Sequence, residues 1–122
     1  MVWNFRNLEV WKVSFGLIKK VYGLTSKFPR DEIYGLTSQL RRATVSISSN
    51  IAEGCGRRTS KDFVSFLYNA LGSTKEVESQ LLAAGELGYL DDGEVDELVK
   101  ELGRVGMMLR GLIGHVSEKG IR

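Results

Sequence analysis

Residues 91–119 read DDGEVDELVKELGRVGMMLRGLIGHVSEK, and their apolar members decide the fold. Val95, Leu98, Leu102, Val105, Leu109, Leu112 and Val116 recur at alternating spacings of three and four. That rhythm sets all of them on one side of a helix and is the pattern of a bundle seam. Asp91, followed three residues later by Glu94, forms a capping pair at its start. The stretch predicts a helix over residues 92–117.

Three more segments repeat the pattern. Thr59 and Asp62 lead into Phe63, Leu67, Ala70, Val77, Leu81 and Ala84, which predicts a helix over 60–87. Ile33, Leu36, Leu40, Ala43, Ile47 and Ile51 predict one over 31–53, and Leu8, Trp11, Phe15, Ile18 and Tyr22 one over 7–27. Between them lies Phe28-Pro29, where proline disfavours helix in the preceding residue. The glycine-flanked turn Gly54–Thr59 and Leu87-Gly88-Tyr89 are the other breaks, with Gly88 placed to end a helix in the left-handed conformation. Only Ala43–Ser48 alternates apolar and polar residues in the manner of a strand. A lone strand among helices would leave its backbone groups unpaired, so the segment is read as helical. Short turns between four helices give one all-α domain over 1–122, an antiparallel up-and-down four-helix bundle.

A chain of 122 residues, 43% hydrophobic, can bury a core without metal or disulfide staples. The single cysteine forms no internal disulfide, and a reducing, cytoplasmic location is expected. The longest uncharged run, Phe63–Thr74, is well short of the about 18 residues of a membrane helix, so no membrane partner is expected. The opening Met1–Arg6 does not read as a signal peptide. Charge is divided unevenly. Residues 1–61 hold eleven Lys or Arg against four acids, +7, and residues 62–122 hold six against eleven, −5. That division suits a basic face for a polyanion, or complementary faces that meet in an oligomer.

On a helical wheel, Glu9, Lys12, Gly16, Lys19, Lys20 and Gly23 gather in one polar sector of about 100°. Apolar residues fill most of the remainder, with Val10, Val13, Leu17, Val21 and Leu24 flanking the stripe already named. The start of the third helix is equally wide, since Phe63, Val64, Phe66, Leu67, Tyr68, Ala70 and Leu71 span about 200°. An isolated bundle needs a stripe of little more than about 100°. The surplus predicts a homo-oligomer; the alternative is that Val2, Trp3 and Phe5 fold back over it. Nine glycines fall inside predicted helices: Gly16, Gly23, Gly35, Gly72, Gly85, Gly103, Gly106, Gly111 and Gly114. Each costs about 0.5–1 kcal/mol against alanine, and is either a point of close helix approach or simply tolerated.

Catalytic parts are scarce, and no catalytic residue, metal ligand set or cofactor motif is assigned. Any histidine-dependent site would have to use His115, which is expected to serve a helix end or the surface. Cys55, between glycines and near arginines, suggests a lowered thiol pKa, but without a partner base it reads as an inert turn residue. Gly54-Cys55-Gly56 lacks the strand-to-helix setting of a dinucleotide site. No Glu-x-x-His supports a carboxylate-bridged metal, and Glu94, Glu97 and Glu101 read as a solvated face with an Asp96–Lys100 pair. The strongest signal is basic: Arg41 and Arg42, then Arg57, Arg58 and Lys61, with Lys12, Lys19 and Lys20 in support. Guanidinium donors suit phosphate, so RNA or DNA backbone is the expected partner. The competing roles are helix capping and pairing with acids such as Glu53.

Tyr34-Gly35-Leu36-Thr37-Ser38-Gln39-Leu40-Arg41-Arg42-Ala43, then Val45-Ser46-Ile47 and Ser49-Asn50-Ile51-Ala52-Glu53-Gly54, closely resemble the hallmark of the 23S rRNA-intervening sequence protein family, also called the four helix bundle protein family. Leu8-Glu9-Val10-Trp11, Phe28-Pro29, Gly56-Arg57, Gly72-Ser73, Gln80-Leu81 and Leu87-Gly88-Tyr89 extend the resemblance over nearly the whole chain. Ser48 and Thr44 stand where a proline and an alanine are common. The resemblance implies an up-and-down bundle, a ring-like homopentamer and no enzymatic activity. Some relatives are encoded within insertions in bacterial ribosomal RNA genes. A related branch, the accessory variability protein of diversity-generating retroelements, binds nucleic acid and a reverse transcriptase; the acidic second half of this chain counts against that role. A scaffold that docks a partner protein without nucleic acid is the alternative.

Overall fold

A computed structural model describes residues 3–120, so the reading made for Val2 lies outside the described residues. Four helices follow one another: α1 (Glu9–Thr25), α2 (Leu36–Cys55), α3 (Ser60–Glu86) and α4 (Asp92–Gly120). Single 3-10 turns precede α1 and α2, at Phe5–Asn7 and Arg30–Glu32, and no strand occurs among the described residues. Packing is most extensive between α2 and α3, and α1 closes the ring against α4 most thinly. Lys20 of α1 is ion-paired with Glu101, and Lys27, just past the end of α1, with Glu94, so seven residues forward along the chain there match seven backward on α4. Neighbouring helices therefore run antiparallel.

The core follows the predicted stripes of α3 and α4 closely. Phe63, Leu67, Ala70, Val77, Leu81 and Ala84 of α3 are all buried, and α4 buries Val95, Leu98, Leu102, Val105, Leu109 and Val116. In the last turns Ile113 takes the deep position and Leu112 is only half-buried. On α2, Leu40, Ala43, Ile47 and Ile51 are buried, and so are Thr44 and Ser48. The Thr44 hydroxyl donates to the Leu40 carbonyl at 2.8 Å and that of Ser48 to the Val45 carbonyl at 3.3 Å. Those bonds satisfy the hydroxyls inside their own helix, which is why the strand-like alternation of residues 43–48 folds as helix.

The ends are set by specific chemistry. Asp91 accepts the Glu94 N–H at 2.8 Å while Glu94 accepts the Asp91 N–H at 3.0 Å, the reciprocal cap read from the sequence. Thr59 caps α3 through the Asp62 N–H. Gly88 adopts φ +79°, and the N–H groups of Gly88 and Tyr89 bond back to Gly85 and Ala84, closing α3. The second helix starts later than the predicted residue 31. There the Glu32 carboxylate accepts the Leu36 N–H at 3.1 Å and the Tyr89 hydroxyl at 2.8 Å, tying the start of α2 to the α3–α4 turn. Ile33 consequently lies outside the helix and is 55% exposed.

Two expectations need correction. The stripe named for α1 is not the buried one: Phe15 is 52% and Tyr22 43% exposed and Leu8, Trp11 and Ile18 are half-buried, while Val10, Leu17 and Val21 enter the core. Both flanks of α1 are apolar, so period alone does not choose between them. The inner one is aliphatic and includes Ser14 and Thr25, whose hydroxyls bond the Trp11 and Val21 carbonyls. Next, the acids of α4 are not simply solvated, since Glu101 bridges to Lys20 of α1 and Glu94 to Lys27 just beyond it, and no Asp96–Lys100 pair forms. The helical glycines divide between the two readings: a Cβ at Gly16, Gly23, Gly72, Gly103, Gly111 or Gly114 would meet nothing within 4 Å, whereas one at Gly85 would lie 3.1 Å from Val95 Cγ2. Gly54, read as a turn residue, is the tightest approach of one helix on another, where a Cβ would lie 2.8 Å from Phe63 Cδ1 and 3.0 Å from Phe66 Cβ. The N-terminal segment does fold back in part, Trp3 onto Phe63 and Phe5 onto Trp11, but leaves Phe15 and Tyr22 open.

Two measurements follow from these packings. Gly54→Ala is expected to destabilise the bundle by about 1–3 kcal/mol through overpacking, whereas Gly103→Ala, in open space, stabilises it by about 0.5–1 kcal/mol; urea titration separates them. The Leu36 N–H, and then the Tyr89 hydroxyl, hold the Glu32 carboxyl below its ordinary value of 4.5. A depressed carboxyl lends stability that is complete above that value and fades as pH falls through the lower folded one. Wild type should therefore exceed Glu32→Gln in melting temperature at pH 7, with the gap narrowing as pH falls below 4.5.

Candidate nucleic-acid interface

The expected cationic cluster is split by the length of a helix. Arg41 and Arg42 lie in the first half of α2, whereas Arg57, Arg58 and Lys61 surround the α2–α3 turn. From Arg42 to Cys55, at the end of α2, the rise is about 20 Å. The two groups form separate surfaces.

Arg41 is engaged within the fold. Its Nε donates to Thr25 Oγ1 at 2.8 Å, a terminal nitrogen reaches the Tyr22 carbonyl at 3.5 Å, and the guanidinium lies 4.4 Å from the centre of the Tyr22 ring. The side chain fastens the end of α1 to α2 and neutralises the negative end of the α1 dipole. Arg42, one position on, is exposed and has no carboxylate partner among the described residues. Around this pair a shallow groove is lined by Tyr22, Ile33, Ser38, Val45 and Ser49.

At the other end, the contact of Gly54 with Phe63 and Phe66 brings the helices together and leaves room only for a tight turn. The N–H groups of Gly56 and Arg57 bond to the carbonyls of Glu53 and Gly54, both at 3.1 Å. This turn pushes residues 57–59 outward. Arg57 is held by Glu53 at 3.2 Å and lies over the Phe66 ring, 4.5 Å from its centre. Arg58 and Lys61 are exposed and have no acidic partner among the described residues. Thr59 and Ser60 separate two shallow clefts, one lined by Trp3, Arg57, Arg58 and Phe63, the other by Lys61, Val64 and Ser117. No spacing pattern marks Trp3, because its position depends on the fold-back of the N-terminal segment onto Phe63 and His115.

The supporting lysines divide in the same way. Lys20 is consumed by Glu101, whereas Lys12 and Lys19 are exposed without an ion-pair partner among the described residues. Burial pushes the Cys55 thiol up to about 11, opposite to the direction its arginine neighbours suggested. It is a protonated, unreactive thiol at neutral pH. His115 is exposed, and its ring meets Trp3 edge-on at 5.9 Å. No group of three or more potential metal ligands occurs among the described residues, and no helix is long and apolar enough to cross a membrane.

Four antiparallel helices around one aliphatic core, with unpaired cations confined to exposed turns and helix faces, define an up-and-down four-helix-bundle protein. The family model for the 23S rRNA-intervening sequence protein matches residues 6–111, and the chain belongs to that family. A solved protein of unknown function from the S23 ribosomal protein family of Bacteroides thetaiotaomicron VPI-5482 has the same fold, with a TM-score of 0.79. The two are 20% identical over 85% of this chain and 97% of that one. No curated protein matches the chain.

The two neighbouring arginines of α2 should respond differently to truncation. Arg41→Ala is expected to cost about 1 kcal/mol through the lost charged hydrogen bond, and Arg42→Ala less than about 0.5 kcal/mol, as read by chemical denaturation.

Proposed function

We propose that this chain is a non-enzymatic, homo-oligomeric bundle that binds RNA or DNA backbone through the α2–α3 turn. Arg58 and Lys61 supply the free charge, Arg57 supports them, and Arg42, Lys12 and Lys19 are outlying contacts. The observation that carries this reading is the exposure of Arg58 and Lys61 beside the start of α3 without an acidic partner among the described residues. Cations left unpaired at a surface are the groups that displace counterions from phosphate. The family's own name refers to ribosomal RNA, which fits the same reading.

Assembly is the second half of the proposal. Phe15, Tyr22 and Tyr68 stay 43–54% exposed on the folded monomer, and a sister copy would cover them. Residues 1–61, the basic part, form α1, α2 and the α2–α3 turn, and residues 62–122, the acidic part, hold most of α3 and α4. Opposite faces of unlike sign favour head-to-tail contact, which closes into a ring when the rotation permits; a ring of five is the number the family resemblance implies. A partner-protein scaffold is favoured by a different observation, the 94% exposure of Tyr34 beside Ile33 at the far end of the bundle.

Titration with structured RNA and duplex DNA across about 50–200 mM salt tests the first half. Affinity should fall steeply with salt, and Arg58→Ala and Lys61→Ala should each lower both the affinity and the salt slope. No binding at the lowest salt, or binding indifferent to salt, overturns it and leaves the scaffold reading. Sedimentation at micromolar concentration should report a multiple of the 13.6 kDa subunit; a lone subunit overturns the assembly.

A further inference from the structure

The cleft beside Arg58 contains an aromatic ring that a backbone-only contact would not use. Trp3 lines it together with Arg57, Arg58, Thr59, Ser60 and Phe63. The indole is half-buried, and its two ring contacts are both edge-type: Phe63 at 5.4 Å and 66°, His115 at 5.9 Å and 88°. No parallel-stacked ring meets it among the described residues, in contrast to Trp11, which stacks on Phe15 at 4.6 Å and 21°. Trp3 is thus held at the mouth of a cationic cleft without a stacking partner. Across Thr59 and Ser60 the second cleft carries Lys61.

From this juxtaposition we infer that the α2–α3 end of the bundle binds single-stranded nucleic acid, with an unpaired base stacked on Trp3 and the flanking phosphates met by Arg58 and Lys61. The inference rests on the backbone-binding reading above and gives it a substrate class. A duplex keeps its bases stacked inside and offers this surface only phosphate. A single strand offers both, and a base stacked on an aromatic side chain adds about tenfold or more to affinity whatever its sequence. Glu53 and Asp62 are the acids nearby. Glu53 is bound to Arg57, and neither acid forms an ion pair with Arg58 or Lys61 among the described residues.

The experiment compares wild-type protein with a 12-nucleotide single strand, its duplex and an abasic strand carrying the same number of phosphates, all at one low salt concentration. The normal strand should bind at least about tenfold more tightly than the abasic one, and more tightly than the duplex. Trp3→Ala should reduce the normal strand to the abasic level, leave duplex affinity unchanged, and be partly rescued by Trp3→Phe. In Trp11→Phe protein the remaining indole fluorescence should be quenched by the single strand and not by the duplex. Equal affinity of wild type for normal and abasic strands overturns the inference, however Trp3→Ala behaves. If binding is salt-sensitive yet indifferent to bases, the backbone reading stands and this one falls; if nothing binds at low salt, both fall.

Discussion

The approach of α2 to α3 at Gly54 is the constraint on which the rest of the molecule depends. Phe63 and Phe66 occupy the space where any larger residue would place its side chain. That contact fixes the most extensive helix pair, allows a turn of only a few residues, and presents Arg57, Arg58 and Lys61 at one end. A wider separation would lengthen the turn and scatter its cations. Packing and the candidate site thus share one backbone position.

Much of the fold is legible in the spacing of apolar residues. The stripes of α3 and α4 mark the buried residues almost one for one, and the caps at Thr59, Gly88 and Asp91–Glu94 follow from short-range chemistry. Legibility fails where two answers satisfy the same pattern. On α1 an aromatic flank and an aliphatic flank both carry helical period, and only packing against α2 selects Val10, Leu17 and Val21. It also fails where a side chain acts at long range. Glu32 starts α2 through a carboxylate four residues upstream, and its other oxygen is held by Tyr89 from the far turn, a link that no local window contains.

The same division applies to the cations. Sequence places Arg41 and Arg42 side by side, yet a helix turns about 100° per residue and sends them to different fates. Arg41 meets Tyr22 and Thr25, while Arg42 faces solvent. Lys20 belongs to Glu101 because α1 and α4 are antiparallel at that register. Composition reveals how much charge exists; the fold reveals which charge is unspent. Trp3 is the converse case, a residue without a motif that acquires a setting only when the N-terminal segment lies across α3 and α4.

The thin closure between α1 and α4 has a consequence of its own. Every extensive helix contact joins elements consecutive in the chain, and the first helix meets the last only along this thin seam among the described residues. Consecutive hairpins form with little loss of loop entropy, so α2, α3 and α4 can assemble before α1 docks. The opening helix has the least contact with the rest of the bundle, and its outer edge is secured by Lys20–Glu101 and, just past its last turn, Lys27–Glu94. Transient release of that edge would bare the valines beneath it, which makes α1 the element through which neighbouring molecules could exchange parts.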